Sequence, residues 1–257
     1  SLAVWLDDLE RDVNGVKPGV TIAGQPVERL LQAEVHQVVM ELAMQYHSYP
    51  VEPRIDKATG KIIPEQTGNV LDVVRCQQLI MEAPPGAQLE LPLLPISPKH
   101  SSAELAALTQ VVGYYETSVG GSVHRHNNIR LAAQGISNVL LWPGESFSFN
   151  QVVGPRSPER GYMPAPILIN GARGTDFGGG VCQVASTLYN AALNAGLTIE
   201  ERHAHSKPVR YVPEGRDATV SYPSVDLRFT NSREEPIIIK AGLDGSRLWV
   251  KIMGRSK

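Results

Sequence analysis

The sequence predicts an α+β protein of two domains, and three observations support this fold class. Residues 20–94 follow the order strand, helix, two strands, helix, strand, which is typical of a two-layer β-α-β-β-α-β domain. Residues 92–102 contain three prolines and indicate an extended linker. After residue 197, short β-rich segments predict a mostly antiparallel second domain, which also carries one cysteine-bearing helix. We therefore expect domains at 1–98 and 99–257.

In the first domain, apolar spacing and turn residues predict the individual elements. We expect, in order, a strand at 20–23, a helix with its apolar face between 27 and 42, a hairpin of strands 51–55 and 60–64, a helix at 69–82 and a strand at 88–94. Cys76 lies on the apolar pattern of the second helix, so we interpret it as a core residue. His36 and His47 are isolated and are interpreted as surface residues.

The second domain is expected to place one helix against the sheet. The expected elements are a strand at 110–117, helices at 127–139 and 182–195, a strand at 161–170, and strands at 197–203, 218–222, 225–230, 235–241 and 246–252. Gly196 follows the second helix at the position of a C-terminal cap.

Composition and charge exclude several partners. The 257 residues have a formal net charge of −2 and no long charged run, so we expect no nucleic-acid partner and no binding to an anionic membrane surface. No apolar stretch reaches about 18 residues, so no transmembrane segment is expected. Because the sequence begins at Ser1 within a patterned segment, we expect a signal peptide or a membrane anchor upstream.

A glycine run places Cys182 on the first turn of the predicted helix at 182–195. The motif GGGVCQ covers residues 178–183. Free N–H groups and the helix dipole favour a thiolate at a helix N-terminus, where a cysteine becomes nucleophilic. The amides of Gly180 and Cys182 are then candidates for an oxyanion hole. The alternative interpretation is that Cys182 is a small buried apolar residue, and a disulfide with Cys76 is a further, less favoured alternative.

A cysteine nucleophile needs a base and usually a group that orients it. His203 and His205 share one face if residues 197–205 form a strand, and we favour His205 because it lies at the strand end. Asp217 is the preferred orienting carboxylate, and Asp226 is the second candidate.

A metal site is the competing interpretation of the histidines. His124 with His126 and His203 with His205 form two His-x-His pairs, which together with Cys182 offer zinc-type ligands. Their spacing matches no zinc motif, so we expect neither a metal nor another cofactor.

Beyond these patterns, residues 108–240 resemble the VanW family. The resemblance rests on PGESFSFN at 143–150, GGGVCQVASTLYN at 178–190, His205-Ser206, YVP at 211–213 and GRDATV at 215–220. Residues 63–65 and 68–72 resemble the peptidoglycan-binding domain that often precedes VanW domains.

The resemblance implies an extracytoplasmic L,D-transpeptidase that cross-links peptidoglycan stem peptides through the motif cysteine. It makes Cys182 the nucleophile, and we infer that His205 and Asp217 complete the catalytic site. The expected substrate-binding residues are Gly179, Gly180, Gln183, Arg202 and Tyr211; Arg173 is a second candidate, beside Arg202, for binding a stem carboxylate.

Two other functions stay open at this stage. A non-catalytic wall-binding or scaffold protein linked to glycopeptide resistance would have a buried, unreactive Cys182. A cysteine peptidase or amidase acting on the same polymer, including an L,D-carboxypeptidase, would differ in its products.

Overall fold

The computed structural model describes residues 1–255, which form seven α-helices and sixteen strands. The helices are α1 Leu2–Asn14, α2 Gln32–Gln45, α3 Val73–Glu82, α4 Ser102–Ala106, α5 Val123–Ile136, α6 Phe149–Val153 and α7 Val181–Asn194. The strands are β1 Thr21–Ile22, β2 Gln25–Pro26, β3 Arg54–Ile55, β4 Ile62–Ile63, β5 Gly68–Leu71, β6 Gln88–Leu89, β7 Leu93–Ile96, β8 Gln110–Ser118, β9 Val139–Leu141, β10 Ser146–Ser148, β11 Ala165–Ile169, β12 Ala172–Asp176, β13 Thr198–Glu201, β14 Arg228–Thr230, β15 Ile237–Asp244 and β16 Arg247–Gly254. The mixture of helices and mainly antiparallel sheets confirms the α+β class.

Two compact units make up the chain. Unit 1 comprises residues 1–53 and 64–101, and unit 2 comprises residues 54–63 and, as far as the structure describes the chain, 102–255. The expected hairpin is therefore present as β3 and β4, but it packs with unit 2 instead of completing the first domain. Ile55 and Ile62 contact a small apolar cluster with Leu105, Leu108 and Ile238, which explains this placement.

Unit 1 is built around α2 and α3, and its strands form two small sheets instead of the one sheet of the expected two-layer β-α-β-β-α-β domain. One sheet has the order β2-β1-β6, with β1 parallel to β6, and the other pairs β5 with β7. Val35 and Val39 of α2 and Ile80 of α3 are completely buried. Cys76 is also completely buried in this core, which confirms its interpretation as a core residue.

Two boundaries in unit 1 differ from expectation for one reason. Residues 69–71 belong to a strand and not to the predicted helix, and part of the expected linker, 93–96, is the strand that pairs with it. Leu71 lies opposite Leu93 in this antiparallel ladder. Asp72 caps α3 by accepting a hydrogen bond from the Arg75 amide, so the helix starts after the strand ends.

Unit 2 places α7 against a four-stranded antiparallel sheet of order β8-β16-β15-β9. Along β16 the side chains alternate between buried and partly exposed, so one face of the sheet supplies the core. Gly113 of β8 allows a close approach, because a Cβ there would lie 2.4 Å from the Ala191 carbonyl oxygen of α7. A second sheet has the order β10-β14-β13, and β11 with β12 forms a separate hairpin.

Helix α7 agrees with the sequence prediction to within one residue at each end. Its apolar residues Val184, Ala185, Leu188, Ala191 and Ala192 are completely buried, as their helical spacing requires. Gly196 follows the helix with φ of 74°, in the left-handed region expected of a C-terminal glycine. The helix is thus a rigid support for the residues of its first turn.

Across residues 1–255, no helix combines the length and the apolar character needed to cross a membrane.

Candidate active site

The first turn of α7 presents Cys182 as the second residue of the helix. Gly180 is the N-cap and has φ of 98°, a conformation that glycine adopts without strain. Gly179 is packed so closely that a Cβ would lie 2.5 Å from the Cβ of Ala165 on β11. The buried Asn128 of α5 fixes this loop by donating from Nδ2 to the Gly179 carbonyl at 2.9 Å. The glycine run therefore has a defined geometry that positions the thiol.

Three polar side chains on one face of α7 hold residues 216–220. The thiol Sγ of Cys182 accepts from the Val220 amide at 3.4 Å. Ser186 Oγ accepts from the Ala218 amide at 2.8 Å and donates to its carbonyl at 3.0 Å, and Asn190 donates to the Arg216 carbonyl at 2.8 Å. The predicted strand at 218–222 is consequently wrong: α7 side chains bind the Ala218 and Val220 amides, the Thr219 amide donates to the His203 carbonyl at 2.8 Å, and Ser221 forms an isolated bridge with Val225.

Cys182, His205 and Asp217 lie together in the order of a catalytic triad. Asp217 Oδ2 is 2.6 Å from His205 Nδ1 and also accepts from the His205 backbone amide at 2.7 Å. Because Nδ1 is bound to the carboxylate, Nε2 is the ring nitrogen left for the thiol. Thr219 Oγ1 lies 3.5 Å from Sγ on another side.

The pKa of each of these three groups is shifted in the direction that favours its charged form. Burial acts to raise the pKa of Cys182, but the interaction with His205 and the hydrogen bonds from Val220 and Thr219 lower it below the ordinary thiol value. Burial acts to lower the pKa of His205, but Cys182 and Asp217 raise it overall. The pKa of Asp217 is lowered, because its hydrogen bonds from His205 outweigh its burial. The arrangement thus favours a thiolate beside an imidazolium, which is the nucleophilic form of a cysteine.

The thiol opens into a cavity of about 960 Å³. The β11–β12 hairpin lines one part of it, and residues 219–222 line another. Three arginines also line the cavity, Arg125, Arg156 and Arg173, whereas Asp176 is the lining carboxylate within the described part of the chain. Burial and then the charge on Cys182 raise the pKa of Tyr211, which keeps this lining phenol neutral.

The expected substrate-binding residues have different positions. Gly180, Gln183 and Tyr211 line the cavity, whereas Gly179 is buried against β11. Arg202 lies outside the lining: it donates to the Asp217 carbonyl at 2.8 Å and stacks on the Tyr189 ring. Its guanidinium holds the Asp217 loop, whereas Arg173, the second candidate for binding a stem carboxylate, lines the cavity.

The geometry also separates the alternatives for the base and the orienting carboxylate. His203 lies beyond the end of β13, is exposed, and pairs with Glu201 at 2.8 Å. The expected strand 197–203 stops at Glu201, so His203 and His205 do not lie on one face of a strand. Asp226 accepts hydrogen bonds from Ser148 Oγ and from the amides of Asn150 and Leu227, and it has no contact with His205.

The two His-x-His pairs do not converge. His124 Nδ1 lies 2.9 Å from the Pro164 carbonyl, and His126 Nδ1 lies 2.9 Å from the carbonyl of Ser122, the N-cap residue of α5. Among residues 1–255, no group of three or more metal-ligating side chains could hold an ion. Both cysteines are free thiols.

Several residues of the site are missed by sequence reasoning. Ser186 and Asn190 follow Cys182 at intervals of four, so a polar stripe on an otherwise buried helix was a usable signal. Thr219 immediately precedes the Val220 amide that contacts the thiol, and Asn128 is remote in sequence from the loop it fixes. Arg125 and Arg156 carry no sequence signal that separates them from surface arginines.

Comparison with known proteins assigns the chain to a family. Residues 124–253 match the family described as VanW like protein. The chain is 42% identical over 202 residues to YoaR of Bacillus subtilis (strain 168), a match that covers 75% of this chain and 65% of that relative. It is 33% identical over 128 residues to the vancomycin B-type resistance protein VanW of Enterococcus faecalis (strain ATCC 700802 / V583), covering 47% of this chain and 46% of that relative. No solved structure matches. The matched region contains Cys182, His205 and Asp217, and the chain belongs to the VanW family.

Proposed function

We propose that this protein is an extracytoplasmic cysteine acyltransferase that acts on peptidoglycan stem peptides, with L,D-transpeptidation as its reaction. The observation that carries the proposal is the Cys182–His205–Asp217 arrangement at the wall of an open cavity. Membership of the VanW family, and the vancomycin resistance in the name of the enterococcal relative, support a substrate in the cell wall.

In the first half of the reaction, the Cys182 thiolate attacks the carbonyl between the L-centre of a diamino acid and a terminal D-residue. The amides of Gly180 and Cys182 have no hydrogen-bond acceptor among the described residues, so they are available to the oxyanion. The C–N bond then breaks, the His205 imidazolium donates its proton to the leaving amine, and a thioester remains on Cys182.

In the second half, an amine from the side chain of a neighbouring stem attacks the thioester. Neutral His205 accepts a proton from this amine, the C–S bond breaks, and a 3-3 cross-link forms while the thiolate is regenerated. Attack by water gives L,D-carboxypeptidase activity by the same steps. Asp217 keeps Nδ1 of His205 protonated throughout, because it accepts a hydrogen bond from that nitrogen.

We also propose that the first 98 residues bind peptidoglycan. The support is the resemblance of residues 63–65 and 68–72 to a domain of that function.

The test is incubation of the wild-type protein with tetrapeptide-stem muropeptides, followed by mass spectrometry of the products. Cys182→Ala is the inactive variant, and Cys76→Ala controls for loss of a thiol elsewhere; thermal unfolding checks that both variants fold. We expect dimers that lack one terminal D-residue from the wild type and from Cys76→Ala. Shortened monomers alone would identify a carboxypeptidase. Stem binding that is unchanged in Cys182→Ala, with no product from any protein, would overturn the proposal in favour of a wall-binding scaffold.

A further inference from the structure

We propose that Arg125 and Arg156 form a carboxylate-binding subsite beside Cys182, and that the protein therefore selects stem peptides with a free C-terminal carboxylate. This inference rests on the proposed function and specifies its substrate class. Both arginines line the cavity, whereas Arg202 does not.

Arg125 is fixed from α5 by a chain of hydrogen bonds. Its Nη2 donates to Gln183 Oε1 at 2.7 Å, and its Nη1 donates to the Gly120 carbonyl at 3.1 Å. The buried Gln183 donates in turn to Thr117 Oγ1 and to the Ser118 carbonyl, each at 2.9 Å. Gln183 is therefore fully engaged, and its role is to orient the guanidinium instead of binding the substrate itself.

Arg156 is fixed by a different part of unit 2. Its Nη2 donates to Asn150 Oδ1 at 2.7 Å, and its Nη1 donates to the Gly154 carbonyl at 2.9 Å. The guanidinium carbon lies 5.4 Å from the centre of the Phe149 ring and 5.9 Å from that of Tyr222. Both guanidiniums are thus held in place before any ligand binds, which lowers the entropic cost of binding.

Neither guanidinium has a carboxylate within 4.0 Å among the described residues, although both are half-buried. By contrast, Arg202 pairs with Asp217, and Arg247 pairs with Glu116. Burial lowers the pKa of both Arg125 and Arg156, which reflects the cost of leaving these charges without a counterion. Each guanidinium donates two N–H groups to neutral acceptors, and its remaining donors suit a carboxylate.

The local charge balance also favours an anionic ligand. The thiolate of Cys182 and the imidazolium of His205 offset one another, so the two arginines leave an excess of positive charge. Asp176, the lining carboxylate, is exposed and accepts a hydrogen bond from the Phe177 amide. Asp226 is near enough to act electrostatically on Arg156, but it is already hydrogen-bonded to Ser148 and to two amides.

The position of the subsite connects it to the bond that is attacked. The charge on Cys182 acts on both guanidiniums, so all three groups lie within electrostatic reach of one another. A carboxylate bound by the arginines places the last peptide bond of the stem next to the thiolate. Bonds inside a longer chain, or next to an amidated terminus, lack this anchor, so the subsite favours removal of a terminal residue over internal cleavage.

The test is calorimetric titration of Cys182→Ala with two ligands, a tetrapeptide stem ending in a free carboxylate and the same stem ending in a carboxamide. Because this variant lacks the nucleophile, binding is measured without turnover. We expect the free carboxylate to bind about ten- to a hundredfold more tightly, the range for a charge-assisted hydrogen-bond pair. Adding Arg125→Gln or Arg156→Gln should remove most of this preference, and Arg125→Lys and Arg156→Lys should restore part of it.

Arg130→Gln is the matched control, because Arg130 lies exposed on α5 and donates to Asn127 outside the cavity. Equal affinity for the two ligands, absence of binding to either, or an equal loss of both in the arginine variants would overturn the subsite. A carboxylate preference in Cys182→Ala without turnover by the wild type on any stem would instead overturn the proposed function and leave the subsite standing. The ligand comparison itself needs no arginine variant, so misfolding of one does not prevent the test.

Discussion

A single oxygen of Asp217 holds both the ring and the backbone of His205. Oδ2 lies 2.6 Å from Nδ1 and 2.7 Å from the backbone nitrogen of that histidine. Arg202 holds the same aspartate, since it donates to the Asp217 carbonyl and lies 3.4 Å from Oδ1. One side chain therefore fixes the position of the loop and the tautomer of the ring together.

Asp217→Asn should lower kcat for stem peptides by about 10²- to 10⁴-fold, the range for loss of acid-base assistance. The amide removes the negative charge that raises the pKa of His205 and no longer ensures that Nδ1 carries the proton. Steady-state kinetics should show the change in kcat with a smaller change in KM. Asp244→Asn, at an exposed residue bound to Arg247 and Trp249, controls for loss of a carboxylate elsewhere. A wild-type kcat in Asp217→Asn would exclude the triad role.

Alkylation by iodoacetamide should distinguish the two thiols of the chain. The pKa of Cys182 is lowered, so its thiolate persists below the ordinary thiol value of about 8.5, and its reaction rate should reach half-maximum at a lower pH than that. Burial raises the pKa of Cys76, which should react slowly in the same sample. Peptide mapping by mass spectrometry at a series of pH values measures both rates.

His205→Ala provides the complementary measurement. Without the imidazolium, only the hydrogen bonds from Val220 and Thr219 still oppose the effect of burial on the pKa of Cys182, so the half-maximum of the alkylation profile should move to higher pH. His203→Ala is the matched control, because His203 is exposed and pairs with Glu201. Profiles that coincide for wild type and His205→Ala would show that the ring does not activate the thiol.

Ser186→Ala should reduce the free energy of unfolding by about 1–3 kcal/mol, because it leaves the buried amide and carbonyl of Ala218 without their partner. Urea unfolding measures this change. It should also lower kcat, since Ala218 is next to Asp217 and precedes the Thr219–Val220 contact with the thiol. Ser146→Ala removes an exposed hydroxyl contact with Thr230 and should change neither quantity appreciably. Equal stability of the two variants would contradict the role of Ser186.

Two adjacent glycines should respond differently to alanine. Gly179→Ala places a methyl group 2.5 Å from the Ala165 Cβ and carbonyl oxygen, so β11 must shift, at a cost of about 1–3 kcal/mol or more. At Gly178 the nearest atom to such a methyl group is 3.6 Å away, on the Arg156 side chain, and Gly178→Ala should be tolerated. Chemical denaturation of the two variants gives the comparison, and similar losses would show that the glycine run is not ordered as described.

The sequence predicts the parts of the site that depend on patterns between neighbouring residues. Apolar spacing places the cysteine helix to within one residue at each end, because α7 is buried along a continuous stripe. Cys182 follows from its place after the glycines. The sequence favours His205 for its expected place at a strand end and Asp217 as its orienting carboxylate; the strand ends earlier, at Glu201, but the two side chains lie 2.6 Å apart.

The errors arise where partners are remote in the chain. The backbone at 218–220 has strand-forming residues, but side chains of α7 bind the amides of Ala218 and Val220, and no pattern within residues 218–222 reveals these remote partners. Residues 93–96 resemble a linker because of their prolines, yet they pair with 68–71. Arg125 lies on α5 and Arg156 lies after α6, and the two line one cavity with Cys182 only because these remote segments pack around the glycine run.

The hairpin of β3 and β4 makes unit 2, which carries Cys182, discontinuous in sequence. Its turn is fastened to unit 2, since Lys57 Nζ donates to the Gln134 carbonyl at 2.8 Å and Asn138 donates to the Lys57 carbonyl at 3.1 Å. A fragment that begins at residue 102 would lack Ile55 and Ile62 and expose the apolar cluster around Leu105. The two units are therefore not interchangeable modules. A chimaera that joins a different N-terminal segment to unit 2 would have to retain residues 54–63.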